Sequence, residues 1–277
     1  MRRPRTAACV LVVAAGCFSP DLGPRQANWF DRVREQTGAA LADGLVLRTG
    51  LIELPPGDPF LTNELWAAAG KPVPHEQAVL LARNGLRVGV LGGLTPARFD
   101  ALTASDATFK FGTDRTFKPG VPRVVPVNGP LDRAVVRTVA DLIADPSEKT
   151  YTAAECGLSV TARPATGGRV TLTCEPQIQH GDKELFLTAA ADGSGFARTD
   201  HKPREAYPAL RFEVTLSPDE YLVVGPTAEP EGALGQSLFF DAADGRVRQR
   251  VLVIRATAGT GNVSDVATFA AAAAAGR

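Results

Sequence analysis

The chain has 277 residues, with 30 basic and 30 acidic side chains, a formal charge of zero and 44% hydrophobic residues. Its arginines are interspersed with acids and form no basic stripe, which argues against a nucleic-acid partner. A chain of this length forms one large domain or two small ones, and the punctuation of the sequence favours two.

Residues 1–16 read as an export signal, because Arg2, Arg3 and Arg5 precede a short apolar run and small residues lead into Cys17. That run, about nine residues, is too short to cross a bilayer as a helix. Ala14-Ala15-Gly16-Cys17 resembles a bacterial lipobox, with alanine at position 14 where leucine is more usual. The resemblance implies that Cys17 carries lipid, so acyl chains anchor the protein to a membrane without a transmembrane helix. Cleavage after Ala15 or Gly16, giving a soluble product, is the alternative. Loss of residues 1–16 removes three arginines and no acid, taking the formal charge from 0 to −3.

Residues 17–25, with two prolines and a glycine, read as a tether. Residues 26–42 place Trp29, Phe30, Val33 and Leu41 on one helical face, to pack on the folded body or to lie on the membrane surface. Residues 45–54 read as a strand, stopped by Pro55-Pro56-Gly57. Asp58-Pro59 and Thr95-Pro96 open helices with a cap followed by proline, and Pro74 opens another that ends at Asn84-Gly85. Residues 86–91 are a strand between the last two helices. These pieces are expected to make a helix plus a small α/β module over residues 26–111. Gly89, Gly92 and Gly93 lie where phosphate loops occur, but GxGxxG and GxxxxGK[ST] are both absent, so a tight turn is expected.

Residues 112–130, dense in Gly, Pro and charge, are expected as a linker. Residues 131–144 fit a helix through Leu131, Val135, Val139 and Leu142, while alternation from Val136 also suits a strand; helix is preferred. A β-rich domain is expected over 131–257, with strands at 158–163 and 169–175 joined by a Gly-Gly turn. That pairing puts Cys156 and Cys174 on one apolar face as diagonal neighbours, either bridged after local adjustment or left as buried free thiols. Residues 176–208 read as an irregular excursion. Three period-2 segments at 210–256 read as consecutive antiparallel strands, with Ser217-Pro218-Asp219-Glu220 as a hairpin turn. The Ala-rich stretch 258–277 reads as a disordered tail.

Gly157-Leu158-Ser159-Val160 with Pro164, then Val170 to Pro176, Phe212 to Gly225 and Arg250 to Ile254 follow one another in a familiar order. It resembles the secretin-homology domain of bacterial type II and III secretion proteins, over about a third of the chain. Gly225 is followed by Pro226 instead of a second glycine, and a single module precedes the sheet, so a complete channel is not expected. What the resemblance implies is a related β-domain that serves assembly or partner binding in the cell envelope. Asn84 to Gly89 and Leu234 to Phe240 also look like a family of exported planctomycete lipoproteins that carries no known activity.

Catalytic patterns are weak. Gly235-Gln236-Ser237-Leu238-Phe239 lacks the closing glycine of a nucleophile elbow. Glu53, Glu64, Asp219 and Glu220 offer no carboxylate pair across a cleft. His75 reads as a surface residue. His180, Asp182 and His201 bracket the 176–208 excursion and are weak metal candidates, without ligand spacing to support them. The expectation is an α+β chain: a small N-terminal α/β module, then a C-terminal antiparallel β-domain. It would be a non-enzymatic envelope lipoprotein with no cofactor, anchored by lipid on the periplasmic face or surface of the outer membrane, forming homo-oligomers or binding an envelope protein. The alternative is a periplasmic or surface hydrolase or metal-binding protein using the 176–208 loop.

Overall fold

The structure, a computed structural model, describes residues 44–189, 196–227, 231–242 and 245–256. The expected export signal, Cys17, the tether, the helix at 26–42 and the tail at 258–277 lie outside the described residues.

The first elements follow local chemistry. Strand β1 (Leu45–Leu54) stops at the two prolines. The Asp58 carboxylate accepts the Phe60 N–H at 2.9 Å and so caps a π-helical turn, Phe60–Glu64, that runs into α1 (Leu65–Ala68). Helix α2 (His75–Arg83) follows Pro74 and ends at Asn84-Gly85, where Gly85 takes φ +76°. Strand β2 (Leu86–Leu91) and helix α3 (Ala97–Ala104) complete this part in the expected order.

Beyond it, tertiary pairing overrides several expectations. Strands β3 (Phe109–Phe117) and β4 (Arg123–Thr138) occupy most of the stretch expected as a linker. The helix expected at 131–144 is largely the second half of β4, which pairs with β5 (Ser147–Pro164). Alternation decides this: Ala134 and Val136 point inward at 4% and 1% exposure while Arg133 and Val135 point out. Strand β6 (Val170–Gln179) returns from β5 through a turn in which Gly167 and Gly168 adopt φ +72° and +71°. Strands β7 (Glu184–Ala189) and β8 (Phe196–His201) pair only with each other, and β9 (Arg204–Ala206) rejoins β6.

The stretch at 210–256 departs most from the expected meander. Strand β10 (Phe212–Leu216) pairs with β6, whereas β11 (Tyr221–Pro226) pairs with β2 and with β13 (Arg248–Ala256). Ser217-Pro218-Asp219-Glu220 is therefore a corner that carries the chain from one sheet to the other, not a hairpin. Glu220 closes it by accepting the Ser217 N–H at 2.6 Å. Residues expected to start the next strand form helix α4 (Leu234–Phe239), followed by the short strand β12 (Phe240–Asp241).

The described residues are mostly antiparallel sheet with a few short helices. A six-stranded sheet runs β2-β11-β13-β1-β3, with β12 on β13; a five-stranded sheet runs β10-β6-β5-β4, with β9 on β6. Leu47, Leu222, Leu252 and Ile254 from the first share one core with Leu158, Val160, Leu172 and Val214 from the second. The opposite face of the six-stranded sheet packs Val223, Val251 and Val253 against Phe60, Leu61, Leu65 and Phe99 from the helical side. Strands from both sides of the expected 112–130 boundary interleave in the six-stranded sheet. The elements over residues 45–104 therefore exist as expected but do not form a module separate from the C-terminal sheet.

Candidate functional site

Strand β2 ends the six-stranded order, so one of its edges is turned away from the sheet. Gly70 occupies one point of it, donating to the Val90 oxygen at 2.8 Å and accepting the Val90 N–H at 3.0 Å. Continuing that antiparallel register would set Pro72 opposite Val88, and proline brings no N–H. Backbone groups alternate sides along a strand, so Val88 directs its N–H and C=O outward as Val90 does. Neither group has a partner among the described residues.

Beside this open edge lies a groove of about 280 Å³ with Trp66, Ala69, Val73, Ala78, Leu81 and Val88 in its wall. Trp66 is held in place by its indole N–H, which donates to the Leu61 oxygen at 2.7 Å. The Arg87 guanidinium sits 5.4 Å from the Trp66 ring centroid and donates to the Thr62 oxygen at 3.1 Å. Partial burial pulls the Arg87 pKa below its ordinary value. Gly89 lets the helical segment approach: a Cβ there would lie 2.7 Å from the Ala69 Cβ. The groove wall carries no carboxylate, imidazole, thiol or side-chain hydroxyl. An apolar hollow beside unpaired strand groups is suited to holding an extended chain, through main-chain bonds and a few side-chain contacts.

The residues singled out from sequence do not gather into a reactive centre. The His180 ring lies 4.9 Å from that of Tyr151, whose hydroxyl contacts the Tyr207 hydroxyl at 3.0 Å. Burial, and next the bond to Tyr151, push the Tyr207 pKa up. Asp182 is exposed ahead of β7, and His201 faces Glu184 across the β7–β8 pair. Among the described residues, no group of three or more His, Cys, Asp and Glu side chains is disposed to hold a metal ion. Glu64 meets Arg98 at 3.8 Å, Asp219 pairs with Arg255, and Ser237 lies within α4. His75 is exposed at the start of α2.

Cys156 and Cys174 are both buried and free. They share a face as expected, but Cys156 sits opposite Ile178 and Cys174 opposite Val160. Four register positions thus separate them, roughly 13 Å at about 3.3 Å per residue, beyond the reach of a disulfide. The expected diagonal contact is corrected by the true register of the hairpin. Burial pushes each thiol up to about 12.

Sequence patterning did not mark one densely bonded buried cation. Arg250 donates from Nε to Glu53 at 2.7 Å, from Nη2 to Asp241 at 2.7 Å and from Nη1 to the Asn128 side-chain oxygen at 2.8 Å. The Asn128 amide in turn donates to the oxygens of Ser237 and Phe240 at 2.8 and 2.7 Å. Arg248 reaches the other Glu53 oxygen at 3.3 Å. This network bonds β13, β1 and β12 of one sheet to β4 of the other and to α4. It is a structural tie: the Arg250 guanidinium is bonded through all three of its nitrogens to protein groups. The only hint in the sequence is that Arg250, the last of three alternating arginines, runs directly into the apolar stretch from Val251.

No protein-family model matches the chain, and no curated protein matches it. Among solved structures, the chain is similar to the InvG secretin-domain β-barrel of the Salmonella SPI-1 injectisome NC-base, with 11% identity and a TM-score of 0.22. That alignment covers 91% of this chain and 74% of the other. A superposition this loose carries no argument about fold or function.

Proposed function

We propose that this chain is a non-enzymatic cell-envelope lipoprotein, anchored through Cys17, that takes part in assembly of an envelope complex by receiving an extended segment of a partner at β2. The observation that carries this reading is the outward N–H and C=O of Val88 beside the apolar groove. Strand addition there supplies the missing hydrogen bonds, and side chains of the added strand enter the hollow beside Trp66 and Val73.

A photoreactive residue in place of the exposed Lys71, on the groove rim, tests it in cells that export the full chain. A specific adduct is expected, and Val88→Pro should abolish it. Proline at 88 removes an outward N–H that the β2–β11 ladder does not use. Val73→Glu, a charge placed in the hollow, should give the same loss if the proline variant folds poorly. An adduct unchanged by both substitutions in folded protein would rule out the edge. Independently, Cys17→Ser should move the protein from the membrane to the soluble fraction.

A further inference from the structure

On the outer face of the five-stranded sheet lies a second concavity, of about 530 Å³, with a lining unlike that of the β2 groove. Arg163 reaches it from β5, Thr173, Glu175 and Gln177 from β6, and Arg204, Arg211 and Glu213 from the elements beside them. Two of its acids and one of its arginines are already engaged. Arg211 Nε donates to Glu175 at 2.6 Å, and the Thr173 hydroxyl donates to Glu213 at 3.2 Å. Arg163 and Arg204 are exposed and have no ion-pair partner among the described residues. The lining therefore has three cations against two anions, with both uncommitted groups positive.

Gln177 is the anomaly. It is 1% exposed, and neither its Nε2 nor its Oε1 has a hydrogen-bond partner among the described residues. A buried amide unpaired at both ends destabilises the fold, and an apolar side chain of the same size would avoid that cost. An unpaired donor beside an unpaired acceptor is complementary to a group that offers both functions, and a planar peptide amide returns both bonds at once.

The shape narrows the ligand further. Arg163 sits opposite Thr171 in the β5–β6 ladder and Arg204 sits opposite Gln179. The two free cations therefore lie at opposite ends of the depression, eight register positions apart along β6, or roughly 26 Å between backbones at about 3.3 Å per residue. A single small anion cannot meet both, whereas an extended chain of several residues does. The lining also has no aromatic ring on which a sugar would stack.

We propose that this face binds an extended acidic peptide segment, with carboxylates at Arg163 and Arg204 and one backbone amide against Gln177. The site is separate from the β2 edge, and its fate does not decide that of the edge.

Titration calorimetry of the purified chain with an N-acetylated, C-amidated octapeptide alternating Glu and Ser is the test. Binding that weakens as salt is raised is expected, with no binding of the peptide that has Lys in place of Glu. Arg163→Ala combined with Arg204→Ala should weaken it tenfold or more. Gln177→Met should also weaken it tenfold or more while raising the melting temperature, because the substitution removes unpaired buried polar atoms. That opposed pair of effects separates a binding role from a structural one. Absence of binding to the Glu peptide, or full binding by the double arginine variant, would overturn the proposal. So would a lower melting temperature for Gln177→Met, or equal binding of inorganic phosphate or an oligogalacturonate at the same arginines.

Discussion

Cys156 and Cys174 show how a residue's chemistry is set by what surrounds it. Both thiols lie in the shared core, and burial raises their pKa from 9.0 to about 12. In the folded chain they hold their protons more tightly than in the unfolded chain. Their contribution is therefore fully present below pH 9 and is lost as the pH climbs towards 12, by up to about 1.4 kcal/mol per pH unit for each thiol. Denaturant melts between pH 8 and 11 should show a steeper loss of stability for the natural chain than for the variant with Cys156→Ala and Cys174→Ala. An alkylating reagent at pH 8 should leave both thiols untouched until denaturant is added. Their burial was legible from the alternation of β5 and β6, and their separation was not. Which residue faces which depends on where the turn falls, and one extra residue in the turn moves every partner. Asn84 teaches the same point. It reads as a helix stop, yet its buried amide donates to the Val139 oxygen at 3.0 Å and its oxygen accepts the Val139 N–H at 2.8 Å.

At the level of elements, the Glu53–Arg250 pair is the bolt between strands. Glu53 on β1 and Arg250 on β13 lie 197 residues apart in sequence, and their side chains are 5% and 11% exposed. Replacing one partner leaves the other charge buried without compensation, so Arg250→Met should destabilise the fold by about 3–5 kcal/mol. The double variant Glu53→Leu, Arg250→Met should recover a large part of that loss, measured by chemical denaturation as a double-mutant cycle. The same scale explains the errors at β10, β11 and α4. Strands β11 and β13 are covered on both faces, so Leu222, Val223 and Val224, or Val251 to Ile254, form unbroken apolar runs instead of alternating ones. Such runs name a strand without naming its sheet. Helix α4 was missed because Leu234, Leu238 and Phe239 also suit a strand, and what selects the helix is its tight seat against the α2–β2 turn. A Cβ on Gly235 would lie 1.8 Å from the Gly85 oxygen, so only glycine fits there.

For the whole molecule, the interleaving of early and late strands has a thermodynamic consequence. The six-stranded sheet takes β1, β2 and β3 from the first part of the chain and β11, β12 and β13 from the last, and its inner face shares a core with the five-stranded sheet. Neither part can bury its apolar surface without the other. Residues 44–256 should therefore unfold in one cooperative transition, with calorimetric and van't Hoff enthalpies equal, where two independent domains would give two transitions. Local signals alone determined the element types over residues 44–104, the β5–β6 turn and the inward face of β5 and β6. Caps, prolines, positive-φ glycines and period-2 alternation act over a few residues, so they are written in short stretches. Tertiary structure alone decided that β4 is a strand, that residues 217–220 turn between sheets, that Arg250 is a buried tie, and that Val88 and Gln177 have unmet hydrogen bonds among the described residues. Each of those outcomes depends on a partner tens to hundreds of residues away, and a pairing energy between two distant segments leaves no mark on either one read singly.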